Sequence, residues 1–330
     1  MRPSRRDILI ATRRSQLALA QSQMAGNWIH KLNPKVGLRL IELESEGDRV
    51  MDRPLAALGG KGLFTRAVEQ AVLDGRADIA VHSLKDLPTE PTPGLTIVAT
   101  PRRAPVHDVL ISASAKRIED LPRGATIGTC SPRRKSQLLR LRPDLNIVLL
   151  RGNVDTRLRK VLEEELMDAT LLAAAGLARL NLPQHLVAPV PVEQVLPAAG
   201  QGALAIQCRV DDHITMRRCL PLHDTLTGTT ANAERDVVAK IGANCHSPVA
   251  VLAESIGVDK VRLRARVLSH DGQDCLEVDM TEGVKKLRAL CNAAAKQLLD
   301  QGARKLIEEA AAAPSASAPE TAVKEKELIK

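Results

Sequence analysis

The order of hydrophobic and polar residues near the start of the chain follows one pattern: a short apolar run, a polar turn and an amphipathic helix. Residues 7–11 predict a strand, residues 16–31 a helix with apolar side chains along one face, and residues 38–43 a second strand. Strands that alternate with helices in this way favour a mostly parallel sheet, covered by helices on both faces. The pattern therefore predicts an α/β fold.

The same pattern returns in the middle of the chain, where each apolar run ends close to arginines. Residues 125–128, 146–150 and 169–173 predict strands. Ser131 and Asn153 are suited to cap the helices that follow the first two of these strands. Free N–H groups at a helix N-terminus attract anions, and guanidinium groups add bidentate hydrogen bonds to carboxylates or phosphates.

Arginines recur at these strand-to-helix junctions. One such arginine is usually a solvated surface charge. Open α/β sheets bind ligands at the carboxyl ends of their strands, so several arginines at equivalent junctions should converge on one edge. The predicted ligand is therefore polyanionic. The arginines in question are Arg13, Arg14, Arg133, Arg134, Arg151, Arg157 and Arg179.

A carboxylate stands at a similar junction. Residues 77–81 predict a buried strand, and the polar cluster that follows it contains His82, Ser83, Lys85 and Asp86. We interpret Asp86, an acid among many cations, as the catalytic group. His82 and Ser83 are interpreted as packing and hydrogen-bonding residues at the strand end.

Two loops leave alternatives open. Lys61 lies among three glycines in residues 59–62, which fits a mobile loop that brings an ammonium over a site, or an ordinary surface loop. Cys245 lies in a loop bracketed by glycine and proline, where a thiol can be a nucleophile or a covalent anchor. From spacing alone, a structural or unpaired thiol is the better interpretation of Cys245.

The length of 330 residues exceeds what one hydrophobic core usually organises. Proline-containing segments at residues 101–105 and 189–197 are interpreted as crossovers between domains. A small α+β pattern begins near residue 226, with a helix over residues 230–240 and three strands after it. The predicted domains are residues 1–101 with 200–221, residues 106–196, and residues 225–310, followed by a disordered tail over residues 311–330.

Composition narrows the function. The net charge of +8 indicates anionic partners, but one Trp, one Phe and no Tyr disfavour nucleic-acid modules that stack bases on aromatic rings. Six cysteines without a C-x-x-C pair disfavour a zinc site or a disulfide framework, and favour a reducing, cytoplasmic compartment. No apolar run approaches the roughly 20 residues of a membrane span, and the arginine pair near the N-terminus precedes too short an apolar run for an export signal.

Six motifs, in this order, resemble the porphobilinogen deaminase family of tetrapyrrole biosynthesis, also called hydroxymethylbilane synthases. Any one of them alone is a weak signal, but together they are highly specific, and the resemblance runs from Ile8 to Glu309. The motifs are Ile10-Ala11-Thr12-Arg13-Arg14-Ser15, Gly59-Gly60-Lys61-Gly62-Leu63-Phe64, Ala80-Val81-His82-Ser83-Leu84-Lys85-Asp86-Leu87-Pro88, Gly128-Thr129-Cys130-Ser131-Pro132-Arg133-Arg134, Leu150-Arg151-Gly152-Asn153-Val154 and Gly200-Gln201-Gly202-Ala203.

The resemblance implies an α/β fold of two periplasmic-binding-protein-like domains with a central cleft, plus a small α+β C-terminal domain. The family joins four porphobilinogen molecules head to tail, with release of ammonia, into the linear tetrapyrrole hydroxymethylbilane. Its enzymes build the product on a dipyrromethane cofactor, which a thioether attaches to a cysteine that matches Cys245. A cytoplasmic monomer with porphobilinogen as its small-molecule partner, and without nucleic acid, membrane or metal, is expected.

The resemblance also implies roles for single residues, with Asp86 as the catalytic carboxylate near the pyrrole N–H groups. The cofactor-binding residues that it implies are Cys245, Lys85, Asp86, Ser131, Arg133, Arg134 and Arg157. The substrate-binding residues that it implies are Arg13, Ser15, Arg151, Arg179 and Lys61. Departures from the family pattern are Ala57, Ala178, Cys130 and Ala243-Asn244. The alternative from another class is a non-catalytic anion-binding protein of the periplasmic type.

Overall fold

The computed structural model describes residues 7–44, Gly62, and residues 65–182, 188–244 and 246–313. The strands within these ranges are β1 (Asp7–Arg13), β2 (Gly37–Leu43), β3 (Ile79–Ser83), β4 (Leu95–Ala99), β5 (Asp108–Ile111), β6 (Thr126–Gly128), β7 (Asn146–Val148), β8 (Ala169–Ala173), β9 (Ala188–Pro189), β10 (Leu204–Arg209), β11 (Val249–Ile256), β12 (Lys260–Leu268) and β13 (Cys275–Gly283). The α-helices are α1 (Gln16–Leu32), α2 (Arg66–Leu73), α3 (Pro132–Leu141), α4 (Val154–Leu162), α5 (Ala174–Arg179), α6 (His213–Cys219), α7 (Thr225–Lys240), α8 (Leu287–Asp300) and α9 (Ala303–Ala312).

The first sheet has the strand order β2-β1-β3-β10-β4. Strand β1 pairs in parallel with β2 and β3, whereas β10 is antiparallel to both of its neighbours. Four of the five described strands run in the same direction, so the sheet is mostly parallel, as predicted, with β10 reversed. The reason is the path of the chain: β10 enters at the edge where β3 ends, with Leu204 opposite Ser83, and so runs back along β3.

Helices cover both faces of the first sheet, as the sequence pattern predicts. Ile10 of β1 packs in one core with Ile29 of α1. Its neighbour Ala11 packs in another core with Val68 and Val72 of α2. Successive strand residues point to opposite faces, so β1 is buried on both sides.

The second sheet has the order β7-β6-β8-β5-β9 and is again mixed. Strand β6 pairs in parallel with β7 and β8, and β5 is antiparallel to β8 and β9. All four residues of β5 are buried, but the sequence reasoning did not identify this short strand. Each sheet draws its strands from one of the predicted domain spans, and the residue at which each domain ends stays a prediction.

The third sheet is an antiparallel meander in the order β11-β12-β13. One core joins it to three helices, with Val237 from α7, Val251 and Leu263 from the sheet, Leu298 from α8 and Ile307 from α9. Helix α7 begins at Thr225, earlier than predicted, because Asp224 caps it through Oδ1, which accepts from the N–H of Thr227 at 2.8 Å. The α/β fold with a small α+β third part is confirmed. Within the described ranges, every helix falls short of the length and apolarity that a membrane crossing needs.

A buried ion pair joins the three parts of the chain. Arg103, in the crossover after β4, donates to both carboxylate oxygens of Glu234 at 2.8 and 2.9 Å. Glu234 also accepts from the N–H groups of Gly200 at 2.6 Å and Ala253 at 2.9 Å. Burial raises the pKa of Glu234, and the guanidinium of Arg103 offsets part of that rise. The crossovers and the third sheet are thus held at one carboxylate.

The turn between β12 and β13 docks the third sheet onto helix α3. Gly272 has a φ of +76°, and a Cβ added there would collide with the backbone oxygen of Ser136. Nearby, the hydroxyl of Ser136 donates to the carbonyl of His270 at 3.4 Å, and Arg140 Nη1 donates to the carbonyl of Gln273 at 3.3 Å. Arg133 and Arg134 lie in the first turn of helix α3, so this contact bears on the candidate site.

Substituting Gly272 tests this docking. Gly272→Ala combines left-handed backbone strain with a collision against α3, so it should lower the free energy of unfolding by about 2 kcal/mol or more. Gly257, in the β11–β12 turn of the same sheet, is a matched control, because its φ of +66° is similar and nothing lies within 4 Å of an added Cβ. Gly257→Ala should cost about 1 kcal/mol in urea unfolding. Equal losses for the two variants would contradict the docking.

Candidate active site

Asp86 lies on a short turn at the carboxyl end of β3. The strand ends at Ser83, and residues Leu84–Asp86 form a single 3-10 turn. Leu84 is fully buried, and its N–H donates to the carbonyl of Ala203 at 3.0 Å. Lys85 is half-buried and Asp86 is exposed. The carboxylate is thus presented at the sheet edge by a turn that is anchored in the core.

An arginine from the third part of the chain fixes the same turn. Arg235 of α7 donates from Nη1 to the carbonyls of Leu87 at 2.9 Å and Leu84 at 3.3 Å, and from Nη2 to that of Pro88 at 2.6 Å. Three carbonyl oxygens on one guanidinium leave the backbone on either side of Asp86 little freedom. Helix α7 therefore positions the turn from outside the first sheet.

A pocket that is open to solvent lies beside Asp86. Ser15 lines it and caps helix α1, accepting from the N–H of Ala18 at 3.3 Å. Gln21 of α1 donates to the hydroxyl of Ser83 at 2.9 Å across the same pocket. The full lining consists of Arg13, Ser15, Leu17, Ala18, Gln21, Thr65, Val68, Val81, His82, Ser83 and Asp86. A helix N-terminus and an arginine beside a carboxylate make the pocket suitable for a ligand with both signs of charge.

Facing this edge from the second sheet, two arginines bind one buried aspartate. Asp108 begins β5 and is fully buried. Its Oδ2 accepts from Arg133 Nη2 at 2.8 Å and from Arg134 Nε at 3.1 Å, and its Oδ1 accepts from Arg134 Nη2 at 2.8 Å. Arg133 also donates to the carbonyl of Leu196 at 2.8 Å. Ser131 caps α3 ahead of them, as predicted, accepting from the N–H of Arg134.

The charge of Asp108 is maintained by its partners. Burial alone would raise the pKa of this carboxyl group, but the guanidinium groups of Arg133 and Arg134 outweigh burial and hold the pKa well below its usual range. The stabilisation from this ionisation is present above the pKa of an unfolded aspartate, near 4, and is lost as the pH falls further. The ion pair is therefore intact at neutral pH.

Gln201 connects this aspartate to the turn that carries Asp86. Its Nε2 donates to Asp108 Oδ1 at 2.9 Å and to the carbonyl of Val106 at 2.7 Å. Its Oε1 accepts from Lys85 Nζ at 3.2 Å. Burial, and then Arg134, lower the pKa of Lys85 to about 8, against the opposing effects of Asp86 and Asp108. A hydrogen-bonded chain thus runs from the first sheet to the second.

Two further arginines from the second sheet reach this region. Arg179, at the end of α5, donates from Nη2 to the carbonyl of Gly202 at 2.7 Å. Burial lowers the pKa of Arg179 to about 10, while Asp86 partly offsets the effect. Arg157 of α4 donates to the carbonyl of Gly152 at 2.9 Å and approaches Cys130 Sγ at 3.6 Å. The field of Asp86 therefore acts on groups from both sheets.

Several of the predicted site residues fall into two neighbouring groups, one that lines the pocket beside Asp86 and one around Asp108. Arg13, Ser15 and Asp86 line the pocket, whereas Lys85, Arg133 and Arg134 belong to the chain of contacts around Asp108. Arg151 is buried, and Asn153 caps α4 as predicted, accepting from the N–H of Thr156 at 3.0 Å. Arg14 is exposed at the surface. Lys61 and Cys245 lie outside the described residues.

Three residues at this site were missed by the sequence reasoning. Asp108 directly precedes the apolar residues of β5. Charged residues are rarely buried without a partner, so an aspartate at the start of a buried strand indicates an ion pair. Gln201 stands between two glycines in a quoted motif, which marked the turn but not its side chain. No sequence signal separates Arg235 from other helix-surface arginines, because its partners are backbone carbonyls about 150 residues away.

Two family models match the chain. Residues 8–217 match the model described as porphobilinogen deaminase, dipyromethane cofactor binding domain. Residues 229–300 match the model described as porphobilinogen deaminase, C-terminal domain. Between them these matches cover the three sheets and most of the helices.

Curated relatives agree with the models. The chain is 40% identical over 298 residues to a porphobilinogen deaminase of Syntrophotalea carbinolica, covering 90% of this chain and 94% of that protein. It is 42% identical over 300 residues to a porphobilinogen deaminase of Brevibacillus brevis, covering 91% and 96%. Among solved structures, a periplasmic substrate-binding protein of an ABC transporter from Coxiella burnetii matches with a TM-score of 0.42 and 14% identity, covering 69% of this chain and 96% of that one.

The ionisation of Lys85 can be measured directly. In a Cys245→Ala variant, ¹³C-methyl groups introduced on Lys85 by reductive methylation should titrate with a midpoint near pH 8, because burial and Arg134 disfavour the ammonium form. Since this pKa lies below that of an unfolded lysine, the group's contribution to folding stability increases as the pH rises above 8. Lys85→Arg identifies the resonance by its loss. A midpoint above about pH 10, the ordinary range of lysine, would contradict the proximity of Lys85 to Arg134.

Proposed function

The chain belongs to the porphobilinogen deaminase family, and we propose that its reaction takes place at the edge shared by the first two sheets, with Asp86 as the catalytic carboxylate. The enzyme joins four porphobilinogen molecules head to tail into hydroxymethylbilane and releases ammonia. One observation carries the assignment of Asp86: it is an exposed carboxylate on a turn held by Arg235, beside a pocket that Arg13 and Ser15 line.

The chemistry of the substrate explains why one carboxylate stands among many arginines. Each porphobilinogen carries an acetate and a propionate, so the growing chain brings in two negative charges with every ring. Guanidinium groups bind such carboxylates in a bidentate manner. Loss of ammonia from the aminomethyl group leaves positive charge on the pyrrole, which the arginines cannot stabilise. Asp86 stabilises this charge, and its carboxylate can accept and return the protons that the reaction moves.

The residues around Asp108 fit the carboxylates of a dipyrromethane cofactor. Arg133 has a buried Nε without a hydrogen-bond partner among the described residues. This N–H is therefore a donor that Asp108 does not use. The N-terminus of α3, capped by Ser131, adds backbone N–H groups. We assign the cofactor carboxylates to Lys85, Arg133, Arg134, Arg157 and Ser131. When bound, the cofactor supplies the pyrrole carbon to which the first substrate unit is joined.

Cys245 is the proposed point of thioether attachment. It lies outside the described residues, but the residues on either side of it are held in place. The N–H of Asn244 donates to the hydroxyl of Ser247 at 3.1 Å, and the N–H of His246 donates to Asn244 Oδ1 at 2.8 Å. These bonds support a loop whose ends are fixed between α7 and the third sheet.

Incoming substrate is assigned to the pocket side of the site. Arg13 and Ser15 line the pocket. Burial lowers the pKa of Arg179 and the charge of Asp86 partly offsets this, so Arg179 lies near Asp86. We place Arg151 and Lys61 in the same group on the basis of family resemblance, and we infer a cytoplasmic monomer. The alternative of a non-catalytic anion-binding protein would explain the two mixed sheets but leaves Asp86 without a purpose. Family membership favours the enzyme.

Substituting Asp86 tests its catalytic role. Asp86→Asn should retain the covalent cofactor, seen by intact mass, yet lower kcat by roughly 10²- to 10⁴-fold, because the amide neither stabilises the cation nor exchanges protons. Asp211 is a suitable control, since it is exposed and follows the antiparallel strand β10 at the opposite edge of the same sheet. Asp211→Asn should have wild-type activity. Near-normal production of tetrapyrrole by Asp86→Asn would rule out Asp86 as the catalytic group.

A further inference from the structure

A chain of buried polar side chains lies beneath the pocket and has no part in the reaction as described above. Glu69 Oε1 accepts from the hydroxyl of Thr92 at 2.8 Å and from Gln207 Nε2 at 3.0 Å. Gln207 Oε1 lies 3.1 Å from His82 Nε2. Glu69, Gln207 and His82 are 6%, 4% and 7% exposed, so these three side chains are largely shielded from water, and His82 lines the pocket.

This arrangement determines which nitrogen of His82 carries the proton. The carboxylate of Glu69 only accepts hydrogen bonds, so the amide of Gln207 must turn its NH₂ group toward Glu69 and its oxygen toward His82. An amide oxygen only accepts, so His82 Nε2 must donate. In the neutral ring, Nδ1 is then a hydrogen-bond acceptor. The tautomer follows from the order of donors and acceptors along the chain.

The charged groups around His82 come from several elements. Glu69 of α2 and Asp86 favour the imidazolium form, and Arg13 of β1 disfavours it. Burial is the largest effect, and it lowers the pKa of His82 below the ordinary value of an exposed histidine. At neutral pH the ring is therefore uncharged. Its Nε2 is engaged by Gln207, and its other nitrogen carries a lone pair.

The pocket wall contains another polar group that points to a ligand. Thr65, at the start of α2, lines the same pocket and is 2% exposed, and its hydroxyl has no hydrogen-bond partner among the described residues. Buried polar groups in folded proteins are normally satisfied, so this hydroxyl is available to an ordered water or to a bound group. The substrate's pyrrole N–H and aminomethyl ammonium are donors that need acceptors in such a place.

We propose that His82 is a substrate-contacting residue, presenting Nδ1 as a neutral hydrogen-bond acceptor to an N–H or ammonium group of porphobilinogen, and that Gln207 and Glu69 are positioning residues that fix this tautomer. The inference rests on the function proposed above. It assigns to His82 a role beyond strand-end packing. An uncharged acceptor suits this place, because an imidazolium next to Arg13 would repel the substrate's ammonium and the positive charge left when ammonia departs.

The tautomer can be read without any measurement of activity. In purified holoenzyme labelled with ¹⁵N-histidine at pH 7.5, long-range ¹H–¹⁵N correlation should show His82 as neutral, with Nε2 protonated; the loss of its signals in His82→Gln provides the assignment. Gln207→Met removes the acceptor and should allow the Nδ1–H form to appear. A neutral Nδ1–H tautomer or an imidazolium in the wild type would overturn the proposal.

Kinetics test the contact with substrate. Gln207→Met should lower kcat/KM for porphobilinogen about tenfold, the value of one hydrogen bond, and His82→Gln, which retains an acceptor, should lose less than His82→Leu. His30, which bonds to the carbonyl of Val36 away from the pocket, serves as control, and His30→Gln should match the wild type. Unchanged kcat/KM in both His82 variants would overturn the proposal. Failure of the wild type to turn over porphobilinogen would instead contradict the proposed function.

Discussion

The site depends on one buried carboxylate that holds two buried guanidinium groups. Arg133 and Arg134 are adjacent on one helix turn, and without Asp108 their charges would repel each other in a region with little water. With Asp108, the trio keeps a net positive charge and a fixed geometry. Gln201 extends the network to Lys85, so the buried arginine pair and the turn that carries Asp86 share one set of hydrogen bonds.

The third part of the chain holds both sides of the site from behind. Glu234 and Arg235 are neighbours on α7: the first ties down the crossovers through Arg103, and the second binds the carbonyls around Asp86. The turn at Gly272 contacts the helix that carries the paired arginines. The third part of the chain, which also contains the proposed cofactor attachment at Cys245, therefore contacts the turn that carries Asp86 through α7 and the helix that carries Arg133 and Arg134 through its β12–β13 turn.

Local chemistry made much of this architecture predictable. The caps at Ser131 and Asn153 depend on hydrogen bonds three residues away, and the apolar runs of β3 and β8 depend on burial alone, so sequence reasoning found them. Contacts between residues that are far apart in the chain could not be predicted from the sequence. The reversed direction of β10 depends on where the chain returns, and the role of Asp108 depends on arginines 25 and 26 residues later along the chain. The same limit applies to the role proposed for His82, whose partner Gln207 is 125 residues away.

Asp108 is the internal counter-ion of the site, and unfolding of Asp108→Asn at pH 7 tests this role most directly. Leaving two buried guanidinium groups without their carboxylate should lower the free energy of unfolding by about 3–5 kcal/mol. Asp279→Asn, which removes the acidic partner of an exposed ion pair with Arg262, should cost less than about 1 kcal/mol. A loss for Asp108→Asn as small as that of Asp279→Asn would contradict the account.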